Sequence, residues 1–284
     1  MTTTGDGQVK EAVRDQWTHA AEAWTRWHPK FSRMSREATE FVCDAAQLEP
    51  GMQVLDLAGG TGEPGLTAAQ RVAPGGTVVC TDFVPGMVAA AEANARAAGI
   101  TNMKFQQVDA EDIPFEDASF DRVVSRWGVM FFPNTQKALS EIRRVLKPGS
   151  RATFAVWQAV GKNGWFNDLN ELLRGAGLLQ PPAPGMPTPF RFGESGSLPR
   201  ELEAAGFREV AERPHELPWC WPGPPEEYLQ FIQATFPAWR RGLESAEEPT
   251  RARVLQEMHD VVSRSYDGDL IRFGGHIFIV TAVR

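Results

Sequence analysis

Val54-Leu55-Asp56-Leu57-Ala58-Gly59-Gly60-Thr61-Gly62-Glu63-Pro64-Gly65 runs a buried-strand pattern into a glycine-rich turn and then into the start of a helix. Gly60, Gly62 and Gly65 satisfy the G-x-G-x-x-G spacing that lets a backbone approach a nucleotide closely. Two carboxylates decide what such a turn would hold. Asp56 stands just before it and Glu63 within it, where a dinucleotide would bring a doubly negative pyrophosphate. In a partly desolvated cleft those charges repel at short range. A ligand bearing an ammonium or a sulfonium is attracted instead.

The following segments extend a nucleotide-binding pattern. Gly76-Thr77-Val78-Val79-Cys80-Thr81-Asp82 reads as a second strand ending in an acid 20 residues beyond Gly62, placed to accept both hydroxyls of a ribose. Phe105 to Asp112 reads as a third strand ending in carboxylates suited to an adenine amino group, and Phe120 to Ser125 as a fourth. Leu146-Lys147-Pro148-Gly149 reads as a helix exit leading into a fifth strand, Arg151 to Trp157. Strands alternating with helices from Met52 to Trp157 imply a parallel sheet with right-handed crossovers.

With these residues in place, the chain resembles the class I S-adenosylmethionine-dependent methyltransferases. The likeness is to the small-molecule type related to ubiquinone and menaquinone C-methyltransferases and natural-product methyltransferases. The stretches VLDLAGGTGEPGL, TDFVPGMV, VDAEDIPFEDASFDRVVSRWGV and LKPGS follow in the family's order and spacing, over roughly residues 46 to 158. The resemblance implies an α/β, Rossmann-like, doubly wound sheet of seven strands, mostly parallel with an antiparallel last strand. It implies S-adenosyl-L-methionine as cofactor, which has the cationic groups that the acid-flanked turn favours, and a small-molecule methyl acceptor. Cofactor contacts would come from Asp56, Ala58, Gly59, Gly60 and Gly62 in the turn, and from Asp82, Phe83 and Met87 after the second strand. Asp109, Ala110 and Glu111 after the third strand, Ser125 in the fourth, and Trp24 ahead of the core would complete the site. The first glycine of the family's D-x-G-x-G-x-G loop is here Ala58, a change the loop tolerates if its φ stays negative.

The resemblance leaves the proton of the acceptor unassigned. Several relatives place a histidine just after the fourth strand, whereas Trp127-Gly128-Val129-Met130-Phe131-Phe132-Pro133 contains no base. Of the five histidines, His28 follows Trp24 and Trp27 in a segment able to close over the site and is the candidate general base. A surface or capping role before Pro29 competes with that assignment. His19 has less support, and His276 lies in the last strand, away from the donor. Trp127, Met130, Phe131, Phe132, Trp157, Trp165, Phe166, Trp219 and Trp221 cluster at strand ends and in the variable segments, which favours a hydrophobic or planar acceptor, although aromatic residues commonly serve as core.

The organisation expected is a helical cap over 1–48, a cofactor-binding core over 49–158, an insertion or lid over 159–198, a return to the core over 199–218, a helical insertion over 219–268, and a last strand within 269–284. Pro29 is expected to interrupt the first helix before a second from about Ser35 to Gln47, and the Trp17–Phe31 segment to roof the site.

Composition narrows the alternatives. The 284 residues are 42% apolar, and 36 acids against 29 bases leave a net charge of -7, which disfavours a general nucleic-acid binder. Three cysteines, Cys43, Cys80 and Cys220, have no metal-binding spacing, no histidine–carboxylate set has one either, and so sparse a set fits a reducing compartment. Met1 to Gln8 lacks the basic and apolar stretches of a secretory signal, and no run is apolar for long enough to span a bilayer. A soluble cytoplasmic protein without membrane contact is therefore expected. Two other readings use the same residues. A non-catalytic adenosylmethionine-binding protein keeps every cofactor motif, and the missing histidine leans that way. A nicotinamide-dependent oxidoreductase shares the glycines and Asp82 but must tolerate Asp56 and Glu63 beside a pyrophosphate.

Overall fold

A computed structural model describes residues 3–183 and 185–284, with side chains from residue 7 onward. Helices α1 (Thr3–Met34) and α2 (Arg36–Ala45) come first. Strand β1 (Gln53–Leu57) then leads through helix α3 (Gly65–Val72) to β2 (Thr77–Asp82), and through α4 (Pro85–Ala97) to β3 (Met103–Gln107). Strand β4 (Phe120–Arg126), helix α5 (Thr135–Val145) and strand β5 (Leu146–Trp157) complete the first half. Beyond it lie α6 (Gly164–Gly175), α7 (Ser197–Ala204) and β6 (Arg208–Leu217). A further segment holds β7 (Cys220–Pro222), α8 (Pro225–Thr235), α9 (Pro237–Ser245), α10 (Glu248–Ser263) and β8 (Leu270–Arg272), before β9 (Gly275–Val283).

Seven strands form one sheet in the order β3-β2-β1-β4-β5-β9-β6, while β7 and β8 pair in a separate ribbon. The first five run parallel, and β9 is antiparallel to both β5 and β6. Strand order reverses beside β1, so β1 and β4 diverge toward a crevice at their carboxyl ends, where such sheets bind ligands. Val54, Leu55, Val123, Val124, Phe154 and Val156 are fully buried, as expected of central strands covered on both faces. Helix α5 shows the complementary helical pattern, burying Ala138, Leu139, Ile142 and Val145 along one side. Asn134 caps its start by accepting the Lys137 N–H at 3.0 Å.

One local expectation fails. Pro29 does not end the first helix, because α1 continues through it to Met34. The missing N–H costs roughly 3 kcal/mol in a helix interior, but tertiary contacts hold the helix on both sides of the proline. His28 bonds Thr61, Trp27 packs on Trp221 at 5.6 Å, and Lys30 pairs with Glu227 of α8. The Leu146–Gly149 stretch is the exit from α5, as expected, with β5 already beginning at Leu146. Leu146 pairs with Phe120, and a register shift between Phe120 and Arg122, with Gly149 at φ +76°, absorbs the irregularity. Among the described residues no helix is long and apolar enough to cross a membrane.

Candidate active site

The glycine-rich turn is built around a buried carboxylate. Asp56 at the end of β1 is fully buried, and its Oδ2 accepts the Gly65 N–H at 2.9 Å, tying the strand to the start of α3. The chain wraps so tightly that a Cβ on Gly59 would lie 2.5 Å from Asp56 Oδ2 and 2.7 Å from Cys80 Sγ. A Cβ on Gly65 would lie 2.6 Å from the same oxygen. Gly62 donates to the Gly59 carbonyl at 2.9 Å and closes the turn at φ +120°. Ala58 departs from the expected backbone: its φ is +56°, in the left-handed region that glycine normally occupies. That conformation costs an alanine about 1–2 kcal/mol, and its Cβ leaves no room for one on Gly128 across the crevice.

A cavity of about 1050 Å³ opens above this turn. Its first compartment is lined by Ala58, Gly59, Gly60, Asp82, Phe83, Met87, Asp109, Ala110, Glu111 and Trp24. Asp82 accepts the Gly60 N–H and the Val84 N–H, each at 3.0 Å, through different oxygens, so each oxygen keeps a lone pair for a further donor. Asp56, Gly62 and Ser125, also expected at the cofactor, do not line the cavity. They support the turn and β4 from beneath.

Helix α1 forms the roof with one face, presenting Lys10, Val13, Gln16, Trp17, Ala20, Trp24 and Phe31. Lys10, missed by sequence reasoning, bridges Asp109 at 2.5 Å and Glu111 at 2.8 Å. Its partners lie about a hundred residues away, so no local pattern marks it. Trp17 meets Phe131 edge-on at 5.0 Å, and Ala21 packs with Val84 and Met87 in a small cluster outside the main core.

The second compartment is aromatic. Trp127, at the end of β4, has φ +60°, a rare backbone for so large a residue. This conformation lays its indole flat on Trp157, with ring centres 4.7 Å apart and planes within 5°. Trp219 stands edge-on to both, at 5.5 and 4.9 Å. The Arg126 guanidinium lies 4.8 Å from the Trp127 ring centre and donates to Ser35 Oγ and Thr39 Oγ1. Trp165, Phe166, Phe231, Phe236 and Trp239 extend the walls, but Trp221 does not reach the cavity, being fully buried against Trp27 and Phe231.

His28 also falls outside the cavity wall. Its Nδ1 is 2.8 Å from Thr61 Oγ1, so it fastens α1 to the glycine-rich turn. Burial, and then the positive charge of Arg126, lower its pKa from 6.5 to about 4. The stretch Trp127 to Pro133 adds no titratable group, and no metal-binding cluster of His, Cys, Asp and Glu occurs among the described residues.

The buried acids give the site a pH signature. Burial lifts Asp56 to about 8 and Asp82 to about 6, against an ordinary 3.8. In those intervals the folded chain holds protons that the unfolded chain has lost, so stability falls as pH rises. His28 acts oppositely, adding stability as pH rises from about 4 to 6.5. Above 6.5 the Asp56 contribution is left. The melting temperature of the ligand-free chain is expected to fall between pH 6.5 and 8, and Asp56→Asn to flatten most of that fall. An unchanged slope in the variant, read by calorimetry, would remove Asp56 as its cause.

Comparison with known proteins agrees with this geometry. A family model described as a methyltransferase domain matches residues 48–163. The ubiquinone/menaquinone biosynthesis C-methyltransferase UbiE of Xylella fastidiosa is 30% identical over 250 residues, spanning 82% of this chain and 87% of that protein. An uncharacterized protein of Mycobacterium tuberculosis is 39% identical over 117 residues, and there the chain spans only 41% of the relative's length. Among solved structures, the YcgJ protein of Bacillus subtilis superposes with a TM-score of 0.56 at 21% identity, over 88% of this chain and 98% of that one, a likeness of fold.

Proposed function

Because this chain belongs to the class I S-adenosylmethionine-dependent methyltransferases, we propose that it transfers a methyl group from S-adenosylmethionine to a small molecule that is apolar or aromatic. The carrying observation is that one cavity is lined both by the acid-bearing turn and by Trp127, Trp157 and Trp219. At about 1050 Å³ it reaches the upper end of the roughly 300–1000 Å³ typical of a pocket for one drug-sized ligand, so cofactor and acceptor have room to meet. The name of the Xylella relative, a ubiquinone/menaquinone biosynthesis C-methyltransferase, supports a planar ring as acceptor.

The residues present fit the cofactor. Gly60 at φ +57° has no atom near the position of a Cβ, leaving a cradle over which a ligand can lie. Asp82 has acceptor capacity for ribose hydroxyls, Phe83 offers a ring beside it, and Asp109 and Glu111 offer carboxylates at the far edge. The bound cofactor supplies an electrophilic methyl group on a cationic sulfur. The chain's own part is to orient and to exclude water. Trp127, Trp157 and Trp219 hold a flat acceptor by stacking and edge contacts. The α1 roof, together with residues 178–183 and 186–190, shields the reacting region, so that alignment in a dry site supplies much of the acceleration.

Removal of an acceptor proton by His28 fits this arrangement poorly, since the ring faces Thr61 and not the cavity. His28→Ala is expected to lower turnover by less than about tenfold, whereas loss of a general base costs roughly 10²–10⁴-fold. A larger loss with cofactor affinity intact would restore the base assignment. The activity itself is tested by incubating the chain with S-adenosylmethionine and a panel of planar phenols, amines and quinols, and measuring S-adenosylhomocysteine. Acceptor-dependent product is the expected result. Cofactor binding without turnover on any of them would favour a non-catalytic binding protein.

A further inference from the structure

The end of the cavity farthest along the insertions carries polar groups that neither cofactor binding nor aromatic packing uses. Asn170 on α6 is 8% exposed, lines the cavity, and its amide has no hydrogen-bond partner among the described residues. Asn170 shares α6 with the buried Trp165, Phe166 and Leu173, and a largely buried amide is unfavourable unless something pairs with it. One turn further along the same helix, Arg174 also lines the cavity, and Arg241 joins it from α9. Neither guanidinium has an ion-pair partner among the described residues, although Arg240, next to Arg241, pairs with Glu244. Helix α9 packs on the loop that follows α6. Gly242 abuts the Leu178 carbonyl with no space for a Cβ, and Leu178 N–H bonds Leu173 at 2.9 Å, which fixes α9 against the end of α6. One acid, the exposed Glu171, lines the same region and pairs with neither arginine, so the local balance is two cations against one anion.

We propose that Asn170, Arg174 and Arg241 form a recognition subsite for a carboxylate on the acceptor, placed at the opposite end from the atom to be methylated. This inference rests on the methyltransferase reading of the same cavity. The acceptor is then an aromatic carboxylate. Its ring lies among Trp127, Trp157 and Trp219, and its charged group points toward the mouth between α6 and α9. Planar, forked guanidinium groups match the geometry of a carboxylate, and the Asn170 amide N–H donates to one of its oxygens. The subsite also fixes which end of a flat molecule faces the cofactor, a choice that stacking alone does not make.

The test titrates 2-naphthoate, methyl 2-naphthoate and 2-naphthyl phosphate into the full chain, with and without S-adenosylhomocysteine. 2-Naphthoate is expected to bind at least tenfold more tightly than its uncharged ester. The double variant Arg174→Ala/Arg241→Ala is expected to lose that preference while its affinity for S-adenosylhomocysteine stays within twofold. Asn170→Leu should weaken naphthoate binding with both arginines in place. Equal or tighter binding of the ester, absence of saturable naphthoate binding, a preference for the phosphate, or a preference that survives in the double variant would each overturn the assignment. The nucleoside titration is read separately. Its failure would defeat the underlying methyltransferase reading, while the titrations without nucleoside still report on the carboxylate subsite.

Discussion

Asp82→Asn is expected to weaken S-adenosylmethionine binding by about 10- to 150-fold, or roughly 1.5–3 kcal/mol, the usual worth of hydrogen bonds to a charged acceptor. The substitution keeps the shape but replaces one acceptor oxygen by an NH₂ group. Both Asp82 oxygens already take backbone donors, from Gly60 and from Val84. An amide therefore faces one of those N–H groups donor to donor, and it presents one acceptor where the ribose needs two. The loss falls on the turn and the ligand together. The folded chain should survive, because Asp82 lies at the end of β2 and the main core packs elsewhere. Unchanged affinity by calorimetric titration, with the melting temperature preserved, would remove Asp82 from the cofactor site.

Removing residues 1–22 is expected to reduce turnover on the true acceptor by on the order of 10²-fold or more, as displaced alignment does in other sites. The deletion takes away Lys10, Val13, Gln16, Trp17 and Ala20, five members of the cavity roof, together with the bridge from Lys10 to Asp109 and Glu111. It spares the main core, in which α1 first takes part at Ala23, Trp24 and Trp27. Ala21 and Trp17 belong to the separate small cluster with Val84 and Met87. The truncated chain should therefore fold, with cofactor affinity reduced and water admitted to the site. Circular dichroism separates that outcome from unfolding. Full turnover in the folded deletion variant would show that α1 is not a working lid.

The sequence made the cofactor half readable because its chemistry is local. A strand, a glycine turn and an acid at the next strand end lie within one stretch, from Val54 to Asp82, and each constrains its neighbours. The parts that were not legible depend on distant contacts. Helix α1 carries Pro29 because His28, Trp27 and Lys30 are held by Thr61, Trp221 and Glu227, none of which is near in sequence. Ala58 adopts a glycine-like φ because the crevice between β1 and β4 fixes the chain there, whatever its own preference. Most of the aromatic residues suspected of facing an acceptor line the cavity. Trp221 was not separable from them, since a tryptophan in a wall and one in a core read alike. The polar end formed by Asn170, Arg174 and Arg241 carried no signal at all, being assembled by the packing of α9 against the loop after α6.

Which nucleotide the acid-bearing turn accepts decides the chemistry of the site. Isothermal titration of the full chain with S-adenosylmethionine, S-adenosylhomocysteine and NAD, followed by the same series on Asp82→Asn, measures this directly. Saturable binding of the first two, none of NAD, and a marked loss in the variant is the predicted result. Saturable binding of NAD, with neither adenosyl ligand bound, would contradict it.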